Sequence, residues 1–108
     1  MMNNDLFDQI DEGDYVIFVT EFLNHINDGI MVYFEKNGQY YTDGGDCSNE
    51  GSMMPDAIEN DSYEFHELVK QAAKRFNCKV VDDKIRGRSL AQVLQAEIWF
   101  FTKLEGKI

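Results

Sequence analysis

An Asn-Gly pair at positions 37 and 38 stands between two runs rich in β-branched and aromatic residues, 30–35 (Ile-Met-Val-Tyr-Phe-Glu) and 39–42 (Gln-Tyr-Tyr-Thr). Asn-Gly readily supplies the two left-handed residues of a type I′ turn, so the pair predicts a two-residue antiparallel hairpin and sets its register. Lys36 then faces Gln39, Phe34 faces Tyr41 and Val32 falls near Asp43, leaving Ile30, Val32, Phe34 and Tyr41 on one face. A further run at 15–20 (Tyr-Val-Ile-Phe-Val-Thr) is bounded by Gly13 and the turn cluster 24–29, and it reads as a mostly buried strand. The three runs predict an antiparallel meander.

The flanking segments read differently. Asn3 or Asn4 can cap a short helix over 4–12, with Leu6, Phe7 and Ile10 on one side and Gly13 as its stop. Residues 43–61 contain three glycines, the single proline and no periodicity, which predicts a long loop, with Met53, Met54, Ala57 and Ile58 as a small apolar plug and one helical turn from Pro55. Beyond it, Asp61 and Glu64 resemble a capping box, and Phe65, Leu68, Val69, Ala72, Ala73 and Phe76 form a complete helical stripe. Residues 78–87 predict a tight hairpin turning at Asp82-Asp83, with Val80 facing Ile85 and Lys79 beside Arg86 on the other side. Ser89 and Gln92 form a second capping box, opening a helix with Leu90, Leu94, Ile98, Phe101 and Leu104 along one face. Val93, Trp99 and Phe100 lie off that face, so either two sides of this helix are covered or Trp99 and Phe100 make an interface. The expected fold is α+β in a single domain over 1–108: a three-stranded antiparallel meander, a helix, a short hairpin or strand, and a C-terminal helix packed on one sheet face.

Charge is distributed very unevenly. Residues 1–61 carry 14 acids and the single base Lys36, whereas residues 62–108 carry 6 acids and 9 bases, within a net charge of −10. Such asymmetry sets up a field that steers partners without dictating the fold. It opposes direct nucleic-acid binding, which usually goes with a basic balance, although Lys70, Lys74, Arg75, Lys79, Lys84, Arg86 and Arg88 could make a local basic patch. No apolar run approaches the length of a membrane span, and the acidic start lacks the pattern of a secretory signal. Cys47 and Cys78 are too few for a disulfide framework or a four-cysteine zinc site, so both read as free thiols in a reducing cytoplasm.

The segment from Phe22 through Asn24, Asn27-Asp28-Gly29 and on to Phe34, the hairpin, and Tyr40-Tyr41-Thr42-Asp43-Gly44-Gly45 resemble the domain of unknown function 1828 family. The likeness continues through Phe76-Asn77-Cys78-Lys79-Val80 into the C-terminal helix and covers roughly residues 15–105. Gly44 departs from the family pattern, in which an aspartate follows the threonine-aspartate pair, as does Asp46-Cys47-Ser48 where that pattern is more apolar. The resemblance implies an α+β domain of bacterial or phage origin and transfers no catalytic residue.

Candidate chemistry is sparse. Asp43, Asp46, Ser48 and Glu50 gather oxygen atoms on a glycine-rich loop, but their spacing is not that of a calcium loop. The loop also lacks the Gly-Lys-Ser/Thr of a phosphate-binding loop. His25 and His66 read as loop-packing and helix-surface residues, and the acids around Cys47 would raise its pKa rather than activate it. The chain therefore reads as a non-enzymatic, cofactor-free acidic protein that binds the basic nucleic-acid surface of a protein partner, in the manner of a phage-encoded DNA mimic or anti-CRISPR inhibitor. Its expected contacts are Asp5, Asp8, Asp11, Glu12, Asp14, Asp28, Asp43, Asp46 and Glu50. The alternatives are a metal-dependent module on the loop 43–50 and a self-associating domain using Trp99 and Phe100.

Overall fold

The computed structural model of the protein describes residues 7–24, 28–52 and 63–105. Six antiparallel strands form one open sheet: β1 (Phe7–Asp11), β2 (Tyr15–Leu23), β3 (Gly29–Glu35), β4 (Tyr40–Thr42), β5 (Lys79–Val81) and β6 (Lys84–Gly87). Their spatial order is β1-β2-β3-β4-β6-β5. Among the described residues three helices accompany them, α1 (Asp46–Ser52), α2 (Tyr63–Arg75) and α3 (Leu90–Glu105). The class is α+β with the C-terminal helix on the sheet, as expected, and the meander has four strands rather than three.

The additional strand is β1, where a helix over 4–12 was expected. Residues 7–11 pair antiparallel with residues 16–20, setting Ile10 opposite Ile17 and Asp11 opposite Val16. A helix of this length gains little on its own, whereas a neighbouring β2 offers a full backbone ladder. Gly13 acts as a turn residue instead of a helix stop: its φ is 94°, its N–H donates to Asp11 Oδ1 at 2.9 Å, and Glu12 N–H donates to Tyr15 O at 2.9 Å. The expected cap at Asn3 or Asn4 lies outside the described residues, as do the 53–58 plug and the Asp61 cap.

The β3–β4 register is the expected one, with Phe34 opposite Tyr41 and their rings 4.9 Å apart. Its turn differs. Gln39 takes the left-handed conformation at φ 58°, and its N–H donates to Glu35 O at 2.9 Å, closing a loop longer than two residues. Gly38 is needed there for space, since a Cβ would run into the Tyr40 ring, 2.6 Å from Cδ2. Two consecutive left-handed residues occur instead at Asp82 and Asp83, φ 53° and 63°, the type I′ signature, between β5 and β6. Val80 then faces Ile85 and Lys79 faces Arg86, as predicted.

The core lies between the sheet and the helices. Ile30 and Ile85 on the strands meet Leu68, Val69, Ala72 and Ala73 of α2 and Ala96, Phe100, Phe101 and Leu104 of α3. The Ser89 capping box forms, with Gln92 N–H donating to Ser89 Oγ at 3.2 Å and Ser89 N–H donating to Gln92 Oε1 at 3.1 Å. The buried face of α3 is rotated from the expected one: Val93, Ala96, Glu97, Phe100, Phe101 and Leu104 are buried, while Leu94, Ile98 and Trp99 are half-buried. The cause is that α3 is covered on two sides, by β3, β4 and β6 and by α1 and α2. Phe100 is therefore a core residue stacked edge-on against Phe101 at 5.3 Å, and it cannot serve as an interface side chain. Trp99 has the Arg75 guanidinium 5.2 Å and the Lys103 ammonium 5.5 Å from its ring centre. Among the described residues no helix is long and apolar enough to cross a membrane.

Candidate functional site

The strand order converts the charge asymmetry of the sequence into a spatial one. β1 and its turn stand at one edge of the sheet and β5 with β6 at the other, so Asp8, Asp11, Glu12 and Asp14 lie far from Lys79, Lys84 and Arg86. Five strand steps of about 4.8 Å separate the two edges by roughly 24 Å. That exceeds the Debye length of about 8–10 Å in physiological salt, so neither edge screens the other appreciably.

The four hairpin acids are exposed, and they occupy both faces of the edge because successive side chains alternate: Asp8 shares a face with Ile10, and Asp11 lies on the opposite one. Asp11 meets Lys36 Nζ at 3.0 Å through both oxygens, and together with the Gly13 N–H this holds its carboxyl below the usual range. Asp28 is exposed at the β2–β3 connection, about 27 Å along β2 from the hairpin turn, beside exposed Glu21, Phe22 and Leu23. Asp5 lies outside the described residues.

The remaining three predicted contacts belong to a different structure. The glycine-rich loop over 43–61 begins with a helix, α1, and Asp43 builds its entry. Asp43 is fully buried; its Oδ1 accepts the N–H groups of Gly45 and Ile85, each at 2.9 Å, and its Oδ2 accepts that of Cys47 at 3.0 Å. One carboxylate thus ties the end of β4 to the start of α1 and to β6, with Gly44 and Gly45 at φ 67° and 88° turning the chain between them. Asp43 cannot touch a partner, which corrects its assignment as a contact. Burial pushes its carboxyl up, and the three amide donors oppose that rise. Asp46, in the first turn of α1, accepts the Tyr33 hydroxyl at 3.3 Å; burial and the nearby Asp43 raise its carboxyl to about 6. Glu50 is half-buried on the same helix. These residues therefore face inward or lie against the fold, whereas Asp8, Asp11, Glu12 and Asp14 face outward together.

Glu97 was not anticipated. It is fully buried on α3, and among the described residues neither carboxylate oxygen has a hydrogen-bond partner. Burial, with Asp43 and Asp46 nearby, pushes its carboxyl well above the ordinary range, favouring the neutral form. Helical spacing held the clue, because Val93 and Phe101 bracket it at i−4 and i+4 on the buried stripe.

Other reactive groups are muted. Cys47 is completely buried, and burial with Asp43 pushes its thiol well up; Cys78 is raised to about 11 by burial. A thiol so raised is a poor nucleophile near neutral pH. His25 lies outside the described residues, and His66 is half-buried on α2. Among the described residues no group of three or more histidine, cysteine, aspartate or glutamate side chains is placed to hold a metal ion, so the loop 43–50 gains no support as a metal module. No protein-family model matches this chain, and no curated protein or solved structure shows significant similarity to it.

Proposed function

We propose that this chain is a non-enzymatic acidic interaction protein whose β1–β2 hairpin binds the basic nucleic-acid surface of a protein partner, in the manner of a phage or mobile-element inhibitor that mimics DNA. The observation that carries this reading is the clustering of exposed Asp8, Asp11, Glu12 and Asp14 at one sheet edge, remote from Lys79, Lys84 and Arg86 on the other, where Asp82 and Asp83 at the β5–β6 turn offset two of those three bases. Carboxylates spaced along a narrow ribbon offer a basic groove what a phosphate backbone offers it, a row of anionic oxygens. An RNA-guided or other defence nuclease is the partner class that presents such a groove.

The test is competition with duplex DNA for a panel of RNA-guided nucleases, comparing the native chain with a variant carrying Asp8→Lys, Asp11→Lys, Glu12→Lys and Asp14→Lys. The native protein is expected to displace DNA from its target in a salt-sensitive way. The variant loses about a hundredfold in affinity, roughly threefold for each of four exposed charges. Displacement of equal strength by both proteins would falsify the reading.

A further inference from the structure

We propose that the open edge of β1 accepts an extended, lysine- or arginine-bearing segment of the partner as an additional strand. This rests on the reading of the acidic edge given above and names the form in which the partner binds. β1 pairs with β2 on one side, and among the described residues no strand pairs with its other side. The hydrogen-bonding phase of the hairpin identifies which groups are free. Glu12 N–H donates to Tyr15 O, which makes 12 and 15 a hydrogen-bonded pair; strict alternation along an antiparallel ladder then turns the amides of Ile10 and Asp8 toward β2 and those of Gln9 and Asp11 outward. Lys36 N–H donating to Asp14 O on the far side of β2 fits the same phase.

A row of unpaired N–H and C=O groups is a template for another strand, and the side chains beside it select which strand. Asp8 on one face and Asp11 on the other repel a second β1 edge, so two copies do not pair through this strand. A segment with cations on both faces is favoured instead. Ile10 is 45% exposed and Tyr15 37% exposed, and both lie on the Asp8 face, where an apolar side chain of the incoming segment can cover them. Backbone pairing supplies geometry, and the acids supply the choice of partner.

The probe is a short peptide of valine, threonine and lysine, compared with a control of the same charge interrupted by prolines, which cannot form a strand. The native chain is expected to bind the first peptide and not the second, with the Gln9 and Asp11 amides becoming protected from hydrogen exchange. Gln9→Pro keeps every acid and removes only an outward N–H, a change that edge strands tolerate; it is expected to weaken binding about tenfold, the equivalent of one backbone hydrogen bond. Equal binding of both peptides, equal affinity of Gln9→Pro, or absence of amide protection at Gln9 in the native chain would overturn strand addition. The charge reading survives any of these three results if Asp8→Lys with Asp14→Lys still weakens binding about tenfold, and it alone fails if that pair leaves affinity unchanged. The protection measurement decides the matter even if the proline variant does not fold. Concentration-dependent assembly of the chain alone, lost in Gln9→Pro, would overturn the choice of partner by identifying a second copy of the chain as the occupant.

Discussion

Asp43→Ala is expected to lower the free energy of unfolding by about 4 kcal/mol, because two buried amides and one part-buried amide lose their acceptor at once and each unsatisfied buried donor costs roughly 1–3 kcal/mol. That is a large part of the 5–15 kcal/mol typical of a domain. The three donors, Gly45, Cys47 and Ile85, come from the α1 entry and from β6, so the loss separates elements distant in the chain as well as fraying one turn. Asp43→Asn retains an oxygen for the two amides now on Oδ1 but turns an N–H₂ toward the Cys47 amide, and about half the loss is expected. Urea unfolding midpoints measure both. A shift below about 1 kcal/mol for the alanine variant would mean that water replaces the carboxylate and that α1 does not depend on it.

The second large effect is a dependence of stability on pH that runs opposite to the usual acid lability. Glu97 is buried without donors among the described residues, and burial pushes its carboxyl well above the ordinary range in the fold, against about 4.3 in the unfolded chain. Between those two values the folded state binds more protons than the unfolded one, so the free energy of unfolding falls as pH rises, by up to about 1.4 kcal/mol per pH unit. Its stabilising contribution is complete below about pH 4.3 and disappears as pH climbs through the folded value. Asp46, raised to about 6 in the fold, adds a decline of the same sign below that pH. Glu97→Gln keeps the shape of the protonated acid without the ionisation. Its unfolding free energy is expected to match the native protein below about pH 4 and to exceed it increasingly as pH rises from there toward the folded value. Urea midpoints across the pH range measure the gap, and parallel curves for the two proteins would show that Glu97 is solvated or paired in solution.

Local signals foretold the elements whose causes are local. Phe34 against Tyr41, Val80 against Ile85 and the Ser89–Gln92 box each follow from side chains within a few residues of one another, and each is present. β1 was illegible because Phe7–Asp11 has acids at two of five positions and little strand propensity; its conformation depends on β2 as a neighbour. α1 was illegible because Asp46–Ser52 contains Gly51 and no apolar stripe, and what holds its start is Asp43, whose third amide comes from Ile85 far along the chain. The type I′ turn went to Asp82-Asp83 instead of Asn37-Gly38, since the Tyr40 ring lies over Gly38 and the strand carries its left-handed residue at Gln39. Glu97 could have been found from its spacing, but a glutamate on an apolar stripe reads as solvent-facing until its surroundings are known.

The candidate surface divides in the same way. Counting along the chain gave the imbalance of charge, and it could not tell Asp8 or Glu12 from Asp43, whose carboxylate serves an interior joint. Sheet order supplied that distinction: β1 at one edge gathers the outward acids, and the later strands carry the bases to the other.

The claim that this molecule has one anionic edge is tested most directly without any partner, by nuclear magnetic resonance with small cationic and anionic paramagnetic co-solutes. The ratio of the relaxation enhancements they cause at each amide reports the local potential. Amides of β1 and the β1–β2 turn are expected to be enhanced by the cationic probe several times more than by the anionic one, with a much smaller ratio at Lys79, Lys84 and Arg86. A ratio that is uniform around the sheet would contradict the account.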